Sequence, residues 1–448
     1  MRVSTLVTGG KLAEFRTRGL RIGILHAGGP APGGNEVCFA AALRARDHGI
    51  PLLAFRHGYQ SLQDPAVSLE KLGEPDCSFE LGLEQIRYLR DQDALVIGTS
   101  RDNPAQVSDA VKISKLEDLD DLEKTAKLLY VISRLNAMRI GALISIGGDD
   151  TMKTANLVQM CRDRSAQRMQ RVELTSAEDS DSFLGVVHVP KTIDKDYHGI
   201  DFTFGYMSAV DFIGRQIRGF HADAKAAGTK KQPVVHIVEV MGRGASWLTA
   251  GAAIIGEANY TIALEDYADR TVTFEDLARN CVDMILTRRR NNKHYAVIAI
   301  AEGVAERLPK VEAGRDEHGH VKLDEVNLGE QLKTAIAAEL SRRSGRVKAK
   351  IHAHKAGYNA RQVRPVAYDV LLCRALGVAA VDAVLRGDYG NMVSMTGVFT
   401  PKLVPFAELI DPQTLKVRNW TMTPNEGLNR LLRAMETPFE ENVDLVQT

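Results

Sequence analysis

Four short polar segments of this sequence follow apolar runs and carry side chains that suit phosphate chemistry. In the first, GGPAPGGN, Gly28 and Gly29 open a turn before a helix expected to start near Glu36, and in the second, GTSR, Arg101 follows an apolar run. Glycines let the backbone approach a phosphate, a helix start supplies N–H donors, and arginine binds phosphate as a bidentate fork. A plain strand-to-helix turn and a surface arginine are the simpler interpretations, and the spacing matches neither GxGxxG nor GxxxxGK[ST].

The third segment, GGDDT, places two carboxylates after a pair of glycines. Gly148 is followed by Asp149 and Asp150, although glycines before a helix favour an anion and two acids repel one. A helix cap at Asp150, before a helix starting at Thr151, is the simpler interpretation of the second acid. The residue types alone therefore leave this segment unexplained.

The fourth segment, VPKTIDKDYHG, packs Lys191, Asp194 and Asp196 into six residues. An acid held near a lysine at a strand end can act as a general base that takes a proton from a hydroxyl. A structural salt-bridge cluster is the alternative.

Cations and hydroxyl partners recur in the second half of the chain. Arg243 follows the run VEVMGRG, Glu265 lies in TIALEDY, and Lys355, Tyr358 and Arg361 lie in HAHKAGYNAR, which we predict to be a short polar loop. A phosphorylated sugar requires cations for its phosphate and polar partners for its hydroxyls, so these segments are candidates for a sugar-phosphate site.

The elements that must position these residues follow from the apolar runs. We predict a buried parallel strand in each of RIGILHAGG, ALVIGTSRD, ALISIGGDD, GVVHVPKTID, VVHIVEVMGRG and YAVIAIAEG. Apolar residues at helical spacing predict an amphipathic helix within Asp118–Arg139. Alternation of strands and helices indicates a doubly wound α/β fold, in which ligands bind beyond the carboxyl ends of the strands. Cys161–Ser182 and Leu308–Val326 are predicted to be surface insertions.

Composition excludes several classes of protein. The 448 residues include 57 Lys plus Arg and 57 Asp plus Glu, so the chain lacks the basic excess of a general nucleic-acid binder. No apolar run approaches the roughly 20 residues of a bilayer helix, and the first twenty residues lack the apolar core of a secretory signal. Five dispersed cysteines and two HxH histidine pairs (His318 with His320, His352 with His354) do not have zinc-site spacing. We expect a cytoplasmic protein with no nucleic-acid or membrane partner.

In their order along the chain, these motifs resemble the phosphofructokinase family. GGPAPGGN, GTSR, GGDDT, PKTIDKD and EVMGRG are similar to its phosphate, metal, catalytic and sugar loops, and AEG, GYNAR and ALGVAAVDAVLRGDYGNMV follow in sequence. The resemblance implies two Rossmann-like domains with parallel-rich sheets and an active site in the interdomain cleft. It implies a larger domain, residues 1–206 with 362–448, for donor and metal, and a smaller domain, residues 207–361, for the sugar phosphate. It also implies a homodimer or homotetramer.

The resemblance also assigns roles to single residues. Asp194 would be the base on the sugar C1 hydroxyl, Asp149 and Asp196 would hold or orient Mg²⁺, and Thr192 would contact the substrate near the transferred group. The fructose 6-phosphate site would contain Met241, Gly242, Arg243, Glu265, Tyr358 and Arg361. The diphosphate site would contain Gly28, Gly29, Arg101, Gly148, Asp150 and Lys191. Phosphoryl transfer independently requires positioning, a metal, cations and a base, and each has a candidate.

The identity of the phosphoryl donor depends on Asp150. In family members that use ATP this position is typically glycine, which leaves room for the α-phosphate and ribose. A carboxylate about 4 Å from a phosphate costs roughly 4 kcal/mol at an effective dielectric constant near 20, or about 10³-fold in affinity. We therefore expect diphosphate as donor, with Lys191 as its cation, and a reversible 1-phosphotransferase of glycolysis and gluconeogenesis. The alternatives are an ATP-dependent 6-phosphofructokinase and a non-catalytic sugar-phosphate sensor.

Four residues stand where the family pattern has others. Lys195 stands where asparagine or glycine is usual, and Tyr358 stands where many relatives use histidine. Lys230 and Lys231 match only by position the arginine that relatives contribute across a subunit interface.

Overall fold

The structure is a computed structural model that describes most of the chain. The described residues are 9–90, 92–108, 111–169, 182–267, 270–309, 314, 323–345 and 347–436, with side chains excluded at 90, 165–169 and 324. They form two compact units. The first unit contains the described residues of Met1–Thr192, Tyr197–Gly205 and Arg364–Arg418, and the second contains those of Ile193–Asp196, Tyr206–Val363 and Asn419–Thr448.

Strands and helices alternate through most of the chain, which confirms the predicted α/β class. The strands are β1 Arg21–His26, β2 Leu52–Phe55, β3 Ser78–Glu80, β4 Ile140–Gly147, β5 Gly185–Pro190, β6 Val234–Val240, β7 Tyr260–Ile262, β8 Tyr295–Ala301, β9 Lys350–Ala356, β10 Asn391–Thr396 and β11 Thr400–Pro405. The helices are α1 Leu12–Thr17, α2 Gly34–Asp47, α3 Gln60–Gln63, α4 Leu69–Leu72, α5 Leu83–Arg90, α6 Leu122–Ala137, α7 Asp149–Met169, α8 Tyr206–Ala227, α9 Trp247–Gly256, α10 Phe274–Arg290, α11 Leu328–Ser344, α12 Ala367–Arg386, α13 Phe406–Leu409 and α14 Gly427–Met435. Among these helices, none is both long and apolar enough to span a membrane.

The first unit is built on a seven-stranded sheet in the order β11-β10-β5-β4-β1-β2-β3. The pairs among β10, β5, β4, β1 and β2 are parallel, and the outer pairs β10–β11 and β2–β3 are antiparallel. Every residue of β4 and β5 is buried, as expected for strands covered on both faces. Helices α2 and α12 pack so closely that a Cβ at Gly377 would lie only 2.4 Å from the Val37 carbonyl oxygen.

The second unit has a four-stranded sheet in the order β7-β8-β6-β9, with all pairs parallel. Every residue of β6 is buried, whereas β9 forms one edge of the sheet and most of its residues are at least partly exposed. Helices α8 and α9 pack tightly, since a Cβ at Gly256 would lie 2.4 Å from Ile217. Apart from the segment of Arg101, the loops that carry the candidate residues follow the carboxyl ends of parallel strands in both sheets.

Five of the six predicted strands are confirmed, and the strand predicted in ALVIGTSRD is wrong. The Asn35 side chain donates to the carbonyls of Gln92 and Ala94 and accepts from the Val96 N–H. These backbone groups are therefore satisfied by a side chain and not by a neighbouring strand. The one ladder contact of this segment is an isolated bridge between Ala27 and Ser100.

Two other expectations change in the structure. The segment HAHKA, predicted as a loop, forms β9, and the predicted insertion from Cys161 begins inside α7, which continues to Met169. Residues 170–181 and most of the second predicted insertion lie outside the described residues. The predicted helix within Asp118–Arg139 is confirmed as α6, and the Asp121 carboxylate caps it by accepting from two backbone N–H groups.

The compact units differ from the predicted domain limits at two places. Ile193–Asp196 and the segment from Asn419 onward belong to the second unit, whereas both were assigned to the larger domain. The physical reason is contact within the second unit: Trp420 bonds to Asp196 and Trp247, and the Arg433 guanidinium pairs with Asp266 at 2.6 Å. The assignment of one ligand to each domain stays a prediction.

Candidate functional site

In the first unit, the carboxyl ends of β1, β4 and β5 bring a glycine turn and a lysine together. The Lys191 N–H donates to the Gly147 carbonyl at 2.8 Å, and the Gly28 N–H donates to the Ser100 carbonyl at 2.8 Å. A Cβ at Gly28, whose φ is +78°, would lie 3.4 Å from Lys191 Nζ. The Lys191 side chain is 5% exposed, so its ammonium is a buried cation directly beside the first glycine turn.

Two buried histidines lie close to this ammonium. Burial lowers the pKa of His188 to about 3, and the charge of Lys191 acts in the same direction. Burial and Lys191 also lower the pKa of His26 well below its ordinary value. The Tyr197 hydroxyl donates to the Gly147 carbonyl at 3.0 Å and lies 3.3 Å from His188 Nε2. Both imidazoles are therefore uncharged at neutral pH, and they contribute no positive charge here.

The GGDD segment leads directly into a long helix. Helix α7 begins at Asp149, so the expected start at Thr151 is wrong, and Asp150 lies in the first turn and is not the residue before it. Both carboxylates are exposed, which suits the positive end of the helix dipole. Only glycine fits at position 147 before this helix, because a Cβ there would clash with Thr151 Cβ at 2.3 Å. Burial lowers the pKa of Lys153, and the charge of Asp150 opposes that shift.

The remaining residues predicted for the donor site lie near this group. Gly29 is half-buried beside Gly28. A Cβ at Gly148 would lie 3.7 Å from the Lys191 carbonyl oxygen, which is ordinary contact. Arg101 is exposed and follows Ser100, whose carbonyl accepts from Gly28. The structure thus places the predicted donor residues on four segments, three of which follow the carboxyl ends of β1, β4 and β5.

The PKTIDKD motif is divided between the units. Thr192 is the last residue of its stretch in the first unit, and its carbonyl accepts from the Thr203 hydroxyl at 2.7 Å. Asp194 and Asp196 belong to the second unit and lie beside the MGRG loop that follows β6. A Cβ at Gly242 would lie 4.0 Å from Asp194 Oδ1, and one at Gly244 would lie 3.9 Å from Asp196 Oδ2.

Glu302, the acid of the AEG motif, belongs to the same group. It follows the last residue of β8, and one of its carboxylate oxygens accepts from the Gly242 N–H at 3.0 Å. Burial raises the pKa of Glu302 to about 7, and the negative charge of Asp194 raises it further against the opposing effects of Gly242 and Arg243. The signal for this residue was an acid at the carboxyl end of an apolar strand.

The loop after β9 contacts the loop after β6. The Met241 N–H donates to the Ala356 carbonyl at 3.0 Å, and a Cβ at Gly357 would lie 2.5 Å from Met241 Cβ. Tyr358 is 62% exposed, and the Arg361 guanidinium lies over its ring at 4.8 Å from the centroid. The structure thus brings the MGRG and GYNAR motifs together within the second unit.

Two predicted candidates have other contacts. The Glu265 Oε1 atom accepts from the backbone N–H groups of Ser246 and Met422 at 3.0 and 3.2 Å. Lys355, which was expected in a loop, lies in β9 with its ammonium 3.6 Å from Glu239. Each side chain therefore has a partner within the second unit, and its assignment to the sugar-phosphate site stays a prediction.

The described residues contain no group of three or more histidine, cysteine or acidic side chains that could enclose a metal ion. His354 lies 2.8 Å from His236 and stacks on Phe220, so the second HxH pair belongs to an aromatic stack. The pair His318 and His320 lies outside the described residues. Magnesium bound to phosphates needs only one or two carboxylates, because phosphate oxygens and water complete its shell. The exposed carboxylate of Asp149 beside Gly148 fits such a role.

Comparisons with known proteins agree with these motifs. The pyrophosphate–fructose 6-phosphate 1-phosphotransferase of Thermotoga maritima is 30% identical over 408 residues, which cover 88% of this chain and 85% of that protein. An ATP-dependent 6-phosphofructokinase of Streptomyces coelicolor is 28% identical over 398 residues, with coverage of 87% and 95%. The solved pyrophosphate-dependent phosphofructokinase of Nitrosospira multiformis shares the fold, with a TM-score of 0.64, 17% identity and coverage of 95% and 92%.

A family model described as Phosphofructokinase matches residues 21–384. That range includes each of the glycine, lysine and aspartate loops described above. This chain belongs to the phosphofructokinase family.

Proposed function

We propose that this protein is a reversible, Mg²⁺-dependent diphosphate:fructose-6-phosphate 1-phosphotransferase. The observation that carries the choice of donor is the first turn of α7, where Asp150 occupies the position that follows Gly148 and Asp149. Relatives named for diphosphate and for ATP have similar identity to this chain, so the donor must be inferred from the site residues.

The repulsion between the Asp150 carboxylate and a donor phosphate depends on how far water screens the two charges. Asp150 is exposed, and water screens its charge. At about 4 Å from a phosphate its repulsion is roughly 1 kcal/mol in bulk water and roughly 4 kcal/mol near a protein surface. These values correspond to about 5-fold to 10³-fold in affinity. The space taken by the side chain adds to this effect for a donor with an α-phosphate, whereas diphosphate has none.

Diphosphate is an anion and needs a cation beside it, and we assign this role to Lys191. Its buried ammonium lies beside Gly28, and Gly28 and Gly29 leave backbone N–H groups that a phosphate can approach. Arg101 adds a second cation from the loop that bonds to Gly28. We propose that these four residues bind the diphosphate.

Proton transfer from the acceptor is assigned to Asp194. Its carboxylate takes the proton of the sugar C1 hydroxyl as that oxygen attacks the terminal phosphorus, and the P–O–P bond breaks to release monophosphate. Asp149, with Asp196, would hold or orient Mg²⁺, which neutralises phosphate charge when bound. Thr192 contacts the substrate near the transferred group. In the reverse direction Asp194 returns the proton, so the same residues serve both directions.

The sugar phosphate is assigned to the loops after β6, β8 and β9. Arg243 and Arg361 supply cations for the 6-phosphate, and Glu302 accepts hydroxyl donors. Glu302 joins Glu265 as a second candidate acceptor, because the backbone N–H groups bonded to Glu265 use only its Oε1 atom. Met241, Gly242 and Tyr358 complete the proposed site.

The test is a comparison of donors with purified protein, fructose 6-phosphate and Mg²⁺. We expect turnover with diphosphate, and strong turnover with ATP but none with diphosphate would contradict the proposal and favour the ATP-dependent alternative. Asp194→Asn should abolish transfer with either donor, while Asp211→Asn, on α8, should retain it. A fully active Asp194→Asn variant would contradict the assigned base, and an inactive wild-type protein that binds fructose 6-phosphate would favour a sensor.

A further inference from the structure

Lys195 has a backbone conformation that residues with a Cβ rarely adopt. Its φ is +57°, in the left-handed region, and its side chain is only 5% exposed. It lies between Asp194 and Asp196, at a position where the family pattern has a smaller residue. A buried ammonium on a strained backbone requires specific contacts that hold it there.

Two indole rings supply such contacts. Lys195 Nζ lies 3.8 Å from the ring centroid of Trp247 and 3.9 Å from that of Trp420. The two ring centroids are 4.9 Å apart, with planes tilted by 50°. Both distances are well inside the roughly 6 Å range of cation–π attraction, which strengthens when the cation is removed from water. We call Lys195, Trp247 and Trp420 the tryptophan clamp.

Hydrogen bonds close the clamp into a ring. The backbone N–H of Trp420 donates to the Asp196 carbonyl at 2.7 Å. The indole Nε1–H of Trp247 donates to the Trp420 backbone carbonyl at 2.8 Å. Since Asp196 follows Lys195 in the chain, the two tryptophans hold this segment by both its side chain and its backbone.

Glu265 fixes the two segments that carry the tryptophans. Its Oε1 atom accepts from the N–H of Ser246, next to Trp247, and from the N–H of Met422, two residues after Trp420. One buried carboxylate therefore joins the start of α9 to the C-terminal segment. These contacts account for the Oε1 atom of Glu265.

We propose that Lys195 is a positioning residue that acts through the tryptophan clamp on the carboxylates of Asp194 and Asp196. Both carboxylates lie beside glycines of the MGRG loop, where a small rotation of the backbone at Lys195 would move them. The part of this inference that concerns catalysis rests on the proposed function of Asp194. The clamp itself is independent of that function and has its own optical signal.

The test uses the intrinsic fluorescence of the protein, since the chain contains two tryptophans and both belong to the clamp. Lys195→Met should change the emission of the substrate-free protein, because a cation leaves both ring faces. It should lower kcat by about 10- to 100-fold, the cost of misplacing a catalytic group, with little change in the KM for diphosphate. Lys195→Arg should restore most of the kcat, because a guanidinium also binds aromatic faces.

Controls separate this role from general stability and from the choice of donor. Lys225→Met removes an exposed ammonium of α8 and should leave emission and kcat unchanged. If Lys195→Met does not fold, Trp420→Phe should retain more kcat than Trp420→Leu. If Lys195→Met has the emission of the wild type, the clamp is overturned, and this result does not depend on which phosphoryl donor the protein uses. Wild-type kcat in a variant with altered emission, or equal loss in the Arg and Met variants, would overturn the positioning role.

Discussion

Glu302 should make the stability of the second unit depend on pH. Its pKa is raised from an ordinary 4.5 to about 7, chiefly by burial. The folded carboxyl therefore keeps its proton in a range of pH where the unfolded chain has lost it. The resulting stabilisation is complete below the unfolded value and is lost as pH rises through the folded value. Replacement by glutamine, which cannot ionise, should remove this loss.

The magnitude follows from the shift. The difference between about 7 and 4.5, at roughly 1.36 kcal/mol per unit, amounts to about 3 kcal/mol in full. Between pH 5 and pH 8 most of it develops, so the unfolding free energy of Glu302→Gln relative to wild type should rise by about 2 to 3 kcal/mol. The same variant should bind fructose 6-phosphate more weakly, because it loses an acceptor for sugar hydroxyls.

Urea unfolding followed by tryptophan emission measures this difference, since both tryptophans lie in the second unit. Each variant is compared with wild type at pH 5, 6, 7 and 8. Glu306→Gln is the matched control, because it removes an exposed carboxylate four residues further along the chain. A Glu302→Gln difference that stays constant over this range, or that changes as little as the control, would refute the raised pKa of Glu302.

Two further substitutions test the donor site. Asp150→Gly should raise kcat/KM for ATP by about 5- to 1000-fold, the range of the screened repulsion, and an unchanged ratio of ATP to diphosphate use would show that the carboxylate does not select the donor. Gly28→Ala should raise the KM for diphosphate, because its Cβ would lie 3.4 Å from Lys191 Nζ at a φ of +78°. Gly49 has a similar φ of +69°, and a Cβ there would have nothing within 4 Å, so Gly49→Ala should lower stability alone. Equal diphosphate KM values in the two variants would count against diphosphate binding beside Gly28.

The sequence was sufficient for the fold class because the central strands are continuous apolar runs. Strands β1, β4, β5, β6 and β8 coincide with five of the predicted runs, and each ends where a candidate loop begins. The run LVIG had a similar composition but not the same environment, since the Val96 N–H bonds to the Asn35 side chain and the Ile97 carbonyl accepts from the His57 N–H. Strand β9 was missed because it lies at the edge of its sheet, where partly exposed positions accommodate His352, His354 and Lys355.

The candidate site was predictable only to the level of the loops. Loop motifs nominated Gly28, Lys191 and Asp194, because strand ends and residue types are local properties. The partners of Glu265 and Glu302 were not predictable, since each carboxylate accepts from the N–H group of a residue far away in the chain. The orientation of Lys195 depended on a tryptophan more than two hundred residues later, which no local pattern reveals.

The path of the chain between the two compact units has a consequence for synthesis. The chain passes from one unit to the other after residues 192, 196, 205, 363 and 418. The first unit lacks its strands β10 and β11 until Pro405 has been made, and the second lacks Trp420 and α14 until Met435 has been made. Domains usually fold one after another during synthesis, whereas each unit here is completed by segments made after most of the other unit. A chain ending before Asn419 would leave the second unit without the segment that holds Lys195.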